Sequence, residues 1–334
     1  MVRLKYNYVL LFMKDMKYRP EFTIDNEILT LVSEISILIG RIHNDDILSR
    51  DLKLRRDNRI RSIHSSLGIE GNTLSLEKVT DIIDGKHVMG TAREIQEVKG
   101  AVAAYDILES LDPYSLDDIL KAHGIMMNGL VENPGKLRDR NVGVFKGPVA
   151  VHIAPDTEVV PEMMDDLMKW AEGTDQHPLI KGCVFHCRFE FIHPFMDGNG
   201  RMGRLWHSLI LSRWNPLFAY LPIETWIRSN QREYYDALKN SDKGDLTEFI
   251  RFMLNMIKMA VDEFVDLIAY GRDASGIDGK ILKIISKDPE ATAALMAKEL
   301  KVSDRTVKRH LAVLVEKDLI RRVGSDKSGR WEMV

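Results

Sequence analysis

Apolar side chains recur at helical spacing over most of the chain. Between Asp25 and Leu52 they fall at Ile28, Leu31, Val32, Ile35, Leu38, Ile39 and Ile42, which predicts a long amphipathic helix. A second, arginine-dense helix is expected from about Leu54 to Ile69, with Gly71 placed where a C-terminal glycine belongs. Ser75 starts a third, and a fourth covers Thr91 to Leu111 until Asp112-Pro113 stops it. Ser115 caps a fifth, reaching about Val131, and Pro161 to Trp170, Leu179 to Ile192, Leu205 to Trp214 and Leu246 to Tyr270 read as further helices. The pattern changes between Asn133 and Pro155. Glycines and prolines there flank the alternating run Val149-Ala150-Val151-His152-Ile153, predicting a hairpin with strands near 142–145 and 149–153. After a Gly-, Asp- and Ser-containing stretch at 271–279 come helices near 280–286, 292–300 and 304–317, then strands at 319–323 and 330–334. The fold class is therefore mainly α, with a short β-hairpin in the middle and a small helical module ending in a second hairpin.

Composition narrows this only a little. The chain has 334 residues, 45% of them apolar, enough for two or three domains with a sizeable core. The net charge of −3 is unevenly spread: residues 277–334 hold 13 Lys+Arg against 9 Asp+Glu, leaving 34 against 41 for the remainder. A basic tail module on an acidic body points to a nucleic-acid or other acidic partner. The two cysteines, Cys183 and Cys187, lie four apart in an apolar helix, so buried core thiols in a reducing cytoplasm are expected rather than a disulfide or a zinc site. The apolar patch from Tyr6 to Phe12 is too short to span a bilayer, and no membrane partner is expected. Met16 opens a more ordinary start, so the first fifteen residues read as an upstream extension.

The chemistry is concentrated in one loop between two apolar helices, His193-Pro194-Phe195-Met196-Asp197-Gly198-Asn199-Gly200-Arg201-Met202-Gly203-Arg204. Gly198 and Gly200 permit close backbone approach to a ligand, and a glycine turn entering a helix presents free N–H groups to phosphate. Asn199 offers a further side-chain donor. Arg201 and Arg204, three apart, are expected on one helix face, where they could hold successive phosphates. Asp197 beside phosphates suits Mg²⁺, and His193 is the group able to accept a proton near neutral pH.

This stretch resembles the complete signature of the Fic family, H-x-F-x-[DE]-G-N-G-R-x-x-R, with every motif position filled. The resemblance implies transfer of AMP from ATP to a Ser, Thr or Tyr hydroxyl of a target protein. His193 would be the base and Asp197 the Mg²⁺ ligand. The ATP-binding stretch would be Gly198, Asn199, Gly200, Arg201, Met202, Gly203 and Arg204, with the two arginines on the β- and γ-phosphates. Ser66-Leu67-Gly68-Ile69-Glu70-Gly71 is similar to the family's inhibitory pattern [ST]-x-x-x-E-[GN], which implies that Glu70 pairs with Arg204 and blocks the seat of the γ-phosphate. Gly68 inside that helix costs about 1 kcal/mol relative to alanine, so the inhibitory helix is expected to loosen easily. The family also implies that the hairpin, at Val149, Ala150, Val151, His152 and Ile153, is a flap that docks the target by strand addition. Tyr235, with Tyr234 as the weaker candidate, would contribute to the adenine pocket, and Asp242 stands where relatives often carry Asn.

The C-terminal module resembles a winged helix-turn-helix, with Arg305, Lys308 and Arg309 on its third helix as the DNA-contact candidates. The expected organisation is an N-terminal helical region with the inhibitory helix at 1–112, a Fic catalytic core at 113–270, a linker at 271–279 and the winged helix at 280–334. Cofactors expected are ATP as substrate and Mg²⁺. Partners expected are the target protein, with DNA and a second copy of the chain as further candidates. Removal of AMP, with Glu70 activating water, is a second activity that some relatives show. The competing reading from another class is a DNA-binding regulator that uses the loop as a nucleotide sensor.

Overall fold

The computed structural model describes residues 20–42, 52–146, 149–274, 277–316, 319–324 and 329–333. The proposed upstream extension and the end of the first expected helix lie outside these residues. The described chain is mostly helical. Its elements are α1 (Asn26–Arg41), α2 (Leu52–Ile69), α3 (Leu76–Ile83), α4 (Ala92–Asp106), α5 (Leu116–Met126), β1 (Gly143–Lys146), β2 (Val149–Ile153), α6 (Val160–Gly173), α7 (Pro178–Ile192), α8 (Asn199–Trp214), α9 (Ile223–Ser229), α10 (Gln231–Ser241) and α11 (Thr247–Ala274). These are followed by α12 (Ile277–Lys287), α13 (Ala293–Leu300), α14 (Asp304–Glu316), β3 (Ile320–Val323) and β4 (Arg330–Met333). Among the described residues no helix is long and apolar enough to cross a membrane.

The chain divides into two compact units, the first ending at Val261 and the second beginning at Asp262. At the centre of the first lie α7 and α8. Apolar residues surround α7, whose Cys183, Val184, Phe185, Cys187, Phe189 and Ile192 are all buried, and α8 is buried almost continuously from Arg201 to Leu211. A helix that is apolar on every side needs neighbours on every side. Here Ile60, Ile63 and Leu67 of α2, Val98 of α4, Ile119 of α5 and Leu167 of α6 pack into one core with Phe189 and Trp206. The expected boundary at 112/113 therefore does not separate two bodies. The arginines of α2 hide its buried stripe in a pattern read by eye, yet its isoleucines and Leu67 belong to the common core.

Local chemistry sets the helix ends. Asp25 caps α1 by accepting from the Ile28 N–H at 2.9 Å, and its second oxygen takes Arg251 of α11. Thr91 and Glu94 form a reciprocal capping box at the start of α4. Glu94 also accepts from the Thr73 hydroxyl and N–H, and these hydrogen bonds hold its carboxyl at a pKa of about 2. β1 and β2 pair antiparallel with an irregularity between Val144 and Phe145. α11 continues to Ala274 and α12 begins at Ile277, so most of the expected linker at 271–279 is helical. One interior glycine, Gly271, costs only about 1 kcal/mol, which a 28-residue helix absorbs.

In the second unit, Thr292 caps α13, Lys301 turns left-handed at φ 56°, and Ser303 accepts from the Thr306 N–H to start α14. Val307, Leu311 and Leu314 of α14 face Ile281, Ile285 and Met296 in a separate small core. β3 and β4 pair antiparallel from Ile320 opposite Met333 to Val323 opposite Arg330, completing a helix-turn-helix with a two-stranded wing.

Candidate active site

The site is the loop between the two central helices. α7 ends at His193 because Pro194 cannot continue a helix. The His193 N–H still donates to the Phe189 carbonyl at 2.9 Å, but its own backbone turns left-handed, φ 51° and ψ 58°. That region costs a non-glycine residue about 1 to 2 kcal/mol, and it persists where surrounding contacts over-determine it. Arg138, only 3% exposed, supplies those contacts. Its Nε–H donates to the His193 carbonyl and its backbone N–H to the Pro194 carbonyl, both at 2.9 Å. The same guanidinium donates to the Arg140 carbonyl and the Thr157 hydroxyl at 3.2 and 2.8 Å, and to the Pro155 carbonyl. One buried arginine thus fastens the histidine to both ends of the β1–β2 hairpin. His193 Nδ1 lies 3.3 Å from the Glu190 carbonyl, an acceptor that favours hydrogen on Nδ1 and leaves the Nε2 lone pair for a proton.

The rest of the loop is fixed from inside. Phe195 is buried and stacks on His123 with ring centroids 3.7 Å apart and planes 5° apart. His123 Nδ1 accepts from the Gly135 N–H at 2.9 Å, so Nε2 carries hydrogen and donates to the Asp197 carbonyl at 3.0 Å. Burial, the largest cause, keeps His123 neutral, with its pKa lowered to about 4. Asn199 uses both arms of its amide on Phe195, each at 2.9 Å, and is 2% exposed. The amide staples the loop through its oxygen and one N–H, and Asn199 also brings its backbone N–H to the first turn of α8.

What remains is an anion cradle. Gly198 precedes α8 at φ +88° and gives it no side-chain cap, so the first-turn N–H groups keep their donors for a ligand. A Cβ at Gly198 would meet Met127 Sδ at 2.7 Å. Arg201, 4% exposed, donates from Nη2 to Asp197 Oδ1 at 3.0 Å, its Nη1 lies 3.6 Å from Glu97 Oε1 as an ion pair, and its buried Nε makes no hydrogen bond. A buried guanidinium N–H without a hydrogen bond, beside an uncapped helix N-terminus, suits an anion. The Asp197 side chain is 40% exposed and holds Arg201, the Gly198 N–H at 2.6 Å and Arg93 at 2.9 Å. Among the described residues no group of three or more carboxylate, imidazole or thiol ligands is gathered. A cation here would draw on this one carboxylate, water and phosphate oxygens, which is the donor set Mg²⁺ prefers.

The second motif arginine is engaged elsewhere. Arg204, 2% exposed, donates from Nη2 to Glu70 Oε1 at 2.6 Å and to the Ser66 carbonyl at 3.1 Å, and from Nε to the Ser66 hydroxyl at 3.0 Å. Burial opposes its charge, but the Glu70 carboxylate, together with Tyr234 and Glu190, holds the guanidinium above its ordinary range. Gly200 leaves the space for this contact, since a Cβ there would stand 2.3 Å from Glu70 Oε1. Arg201 and Arg204 therefore leave α8 toward different partners instead of presenting together.

Tyr235 is 44% exposed, and its hydroxyl lies 3.4 Å from the Ile69 carbonyl at the end of α2, which also accepts from Gln231 Nε2 at 2.8 Å. Tyr234 is 1% exposed and hydrogen-bonded to His186 Nε2 at 3.0 Å, so the weaker adenine candidate is a core residue. Asp242, exposed, closes α10. Met202 is buried in the core behind the loop, and a Cβ at Gly203 would meet Glu190 Oε1 at 2.8 Å. Of Val149, Ala150, Val151 and His152 the backbone is described, as the strand β2 opposite β1, and Ile153 is 57% exposed at its end. Cys183 and Cys187 are buried thiols, Cys187 donating to Ser241 Oγ at 3.0 Å.

In the second unit Arg305, Lys308 and Arg309 are exposed along α14, Lys308 being paired with Asp304 at 2.7 Å. On the wing, Glu332 takes both Arg321 and Arg330 at 2.8 Å, which cancels part of its positive charge.

Residues 113–211 match the profile of the Fic/DOC family, and residues 275–321 match that of a winged helix-turn-helix DNA-binding domain. The crystal structure of a Fic family protein from Desulfovibrio desulfuricans G20 is 42% identical, with a TM-score of 0.72 over 95% of this chain and 98% of that one. The protein adenylyltransferase fic-1 of Caenorhabditis briggsae is 29% identical over 254 residues, covering 72% of this chain and 48% of its own length. The same-named protein of Caenorhabditis elegans is 28% identical over 262 residues, covering 75% and 49%. The chain thus spans about half the length of the curated relatives it matches.

Proposed function

Because the chain belongs to the Fic family, we propose that it is a protein adenylyltransferase, moving AMP from ATP to a Ser, Thr or Tyr hydroxyl of a target protein. The observation that carries this is the pairing of His193, held left-handed at the end of α7, with an uncapped helix start and the buried guanidinium of Arg201, whose Nε–H makes no hydrogen bond, across one short loop. His193 Nε2 takes the proton of the target hydroxyl as its oxygen attacks the α-phosphorus. The bond from that phosphorus to the bridging oxygen breaks, and pyrophosphate leaves. The backbone N–H groups of Gly198, Asn199 and Gly200 hold the α-phosphate, Arg201 holds the phosphate beyond it, and Tyr235 borders the base. Asp197 would hold the magnesium ion, which would supply charge neutralisation on the phosphates. Positioning and charge neutralisation are what phosphoryl chemistry most needs from a protein.

Glu70 regulates this site by competition. A triphosphate that reaches Arg204 must displace the carboxylate 2.6 Å away, so the resting enzyme binds ATP in an unproductive pose. The β1–β2 hairpin, tied to His193 through Arg138, offers a strand to the target backbone and brings the hydroxyl to the base. The winged-helix match and the exposed Arg305, Lys308 and Arg309 support DNA as a second partner.

The test is mass spectrometry of lysate proteins after incubation with the chain, ATP and Mg²⁺. Ser, Thr or Tyr residues that gain the mass of an AMP group, and fail to gain it with His193→Ala, support the assignment. A gain of phosphate mass contradicts it.

A further inference from the structure

Between the C-terminal half of α2 and α9 lies a cavity of about 440 Å³. Arg61 and His64 line it from α2, and Thr225, Arg228 and Ser229 from α9. Among the described residues it is also lined by Ser65, whose hydroxyl lies 3.1 Å from that of Thr225, and Leu76, 42% exposed at the rim. Arg228 Nη1 lies 3.2 and 3.3 Å from the two ring nitrogens of His64. Burial and then the Arg228 charge push the His64 pKa below its ordinary value. A fold that gathers two guanidinium groups, an imidazole and hydroxyls around open space has the donors that phosphate recognition requires.

Arg228 also explains Gly68. A Cβ at Gly68 would stand 2.4 Å from Arg228 Cζ and 2.5 Å from its Nε, so this residue lacks a side chain because the guanidinium crosses α2 there. The crossing point is two residues before Glu70. Gly68 thus has a packing role beside the helix-loosening one expected from the sequence.

We propose that this cavity is a second ligand site, taking a phosphate dianion, and that its occupation clamps α2 to α9 in the position where Glu70 covers Arg204. A ligand held by Arg61 and His64 on one side and Arg228 on the other binds only while the two helices are together, and mass action then stabilises that arrangement. The dianion comes either from free phosphate or from the phosphate group of an organic ester, whose carbon skeleton would rest against Leu76. The binding stands independently of AMP transfer, while its effect on activity rests on the reading of Glu70 as the inhibitory residue.

The experiment is hydrogen exchange of the full chain, read by mass spectrometry, with inorganic phosphate and separately with glucose 6-phosphate. At ten times the dissociation constant, the amides of residues 64–71 exchange about tenfold more slowly. In Arg228→Gln that protection is lost, and peptides covering 193–205 report phosphate at the motif loop separately in both chains. Gly68→Ala, which pushes the flexible end of Arg228 aside, weakens the protection without removing the helix. Greater potency of glucose 6-phosphate identifies an organic ester as the source, and greater potency of inorganic phosphate the free ion; either supports the site. Equal protection of 64–71 in wild type and Arg228→Gln, or protection confined to 193–205, overturns it.

Discussion

Arg138→Met is expected to lower the stability of the first unit by about 4 kcal/mol, or roughly 10 °C in melting temperature. The side chain is 3% exposed and donates to three carbonyls and a hydroxyl. Methionine fills a similar volume but takes the donor away from one buried and three half-buried acceptors. The His193 carbonyl is among them, so the left-handed turn that aims the imidazole loses its fastening. A displacement of about 1 Å in a catalytic group costs about 100-fold in rate, and AMP transfer should fall accordingly even at temperatures where the variant stays folded. Arg138→Lys keeps the charge without the fork and should lie between the two. Differential scanning calorimetry and a labelling assay check the two halves. An unchanged melting temperature would mean that the backbone turn is held by something other than Arg138.

Acid should destabilise the fold well above the carboxylate range. His123, His186 and His207 are buried, at 1%, 0% and 2% exposure. Burial lowers His123 to about 4 and His207 to about 3, and pushes His186 well below 6.5, aided by His207 and Arg204. The unfolded chain takes up these protons near pH 6.5, whereas the folded chain does so only at lower pH. Their contribution is therefore fully present above pH 6.5 and is lost as pH falls from 6.5 toward the folded values. Glu224 works the other way, because burial raises its pKa above 4.5 and the folded state takes that proton first. The three histidines by themselves should lower stability by about 3 kcal/mol between pH 6 and pH 5, with Glu224 opposing part of that fall. Melting temperatures at pH 7, 6 and 5 should show the fall, and a flat profile would mean that the buried imidazoles accept protons in place.

The parts of this molecule legible in the sequence are those written in consecutive residues. Helix periods, the Ser115, Thr91 and Ser75 starts, the middle hairpin and the terminal wing all follow from local pattern, and the motif loop is one uninterrupted string. The contact between Ser66, Glu70 and Arg204 bridges more than a hundred positions, and it was reachable only because each end carries its own recognisable pattern. Arg138 had no such pattern. It sits in a polar stretch between Lys136 and Asp139 that reads as solvated loop, and nothing local reveals four acceptors converging on it. His123 looked like one polar residue on an amphipathic helix, and its stacking on Phe195 is a tertiary fact. The loop bonds of Asn199 were hidden for a related reason, since an amide in a glycine turn can face a ligand or its own loop with the same sequence. Tyr234 and Tyr235 are adjacent in sequence, and only packing sends one to His186 and the other to the surface. Gly68 looked like a local weakness until Arg228, on a helix 160 residues away, was found lying across it.

The account depends most on Glu70 withholding Arg204 from a nucleotide whose α-phosphate is attacked. The direct measurement is transfer of label to protein from ATP marked at the α- or the γ-phosphate, using wild type, Glu70→Gly and Glu70→Gly combined with His193→Ala. Release of a buried guanidinium to developing charge is worth about 100-fold. The expected result is α-label alone, stronger by about that factor in Glu70→Gly and absent from the double variant. Label arriving from the γ-phosphate, or equal transfer by wild type and Glu70→Gly, would contradict it.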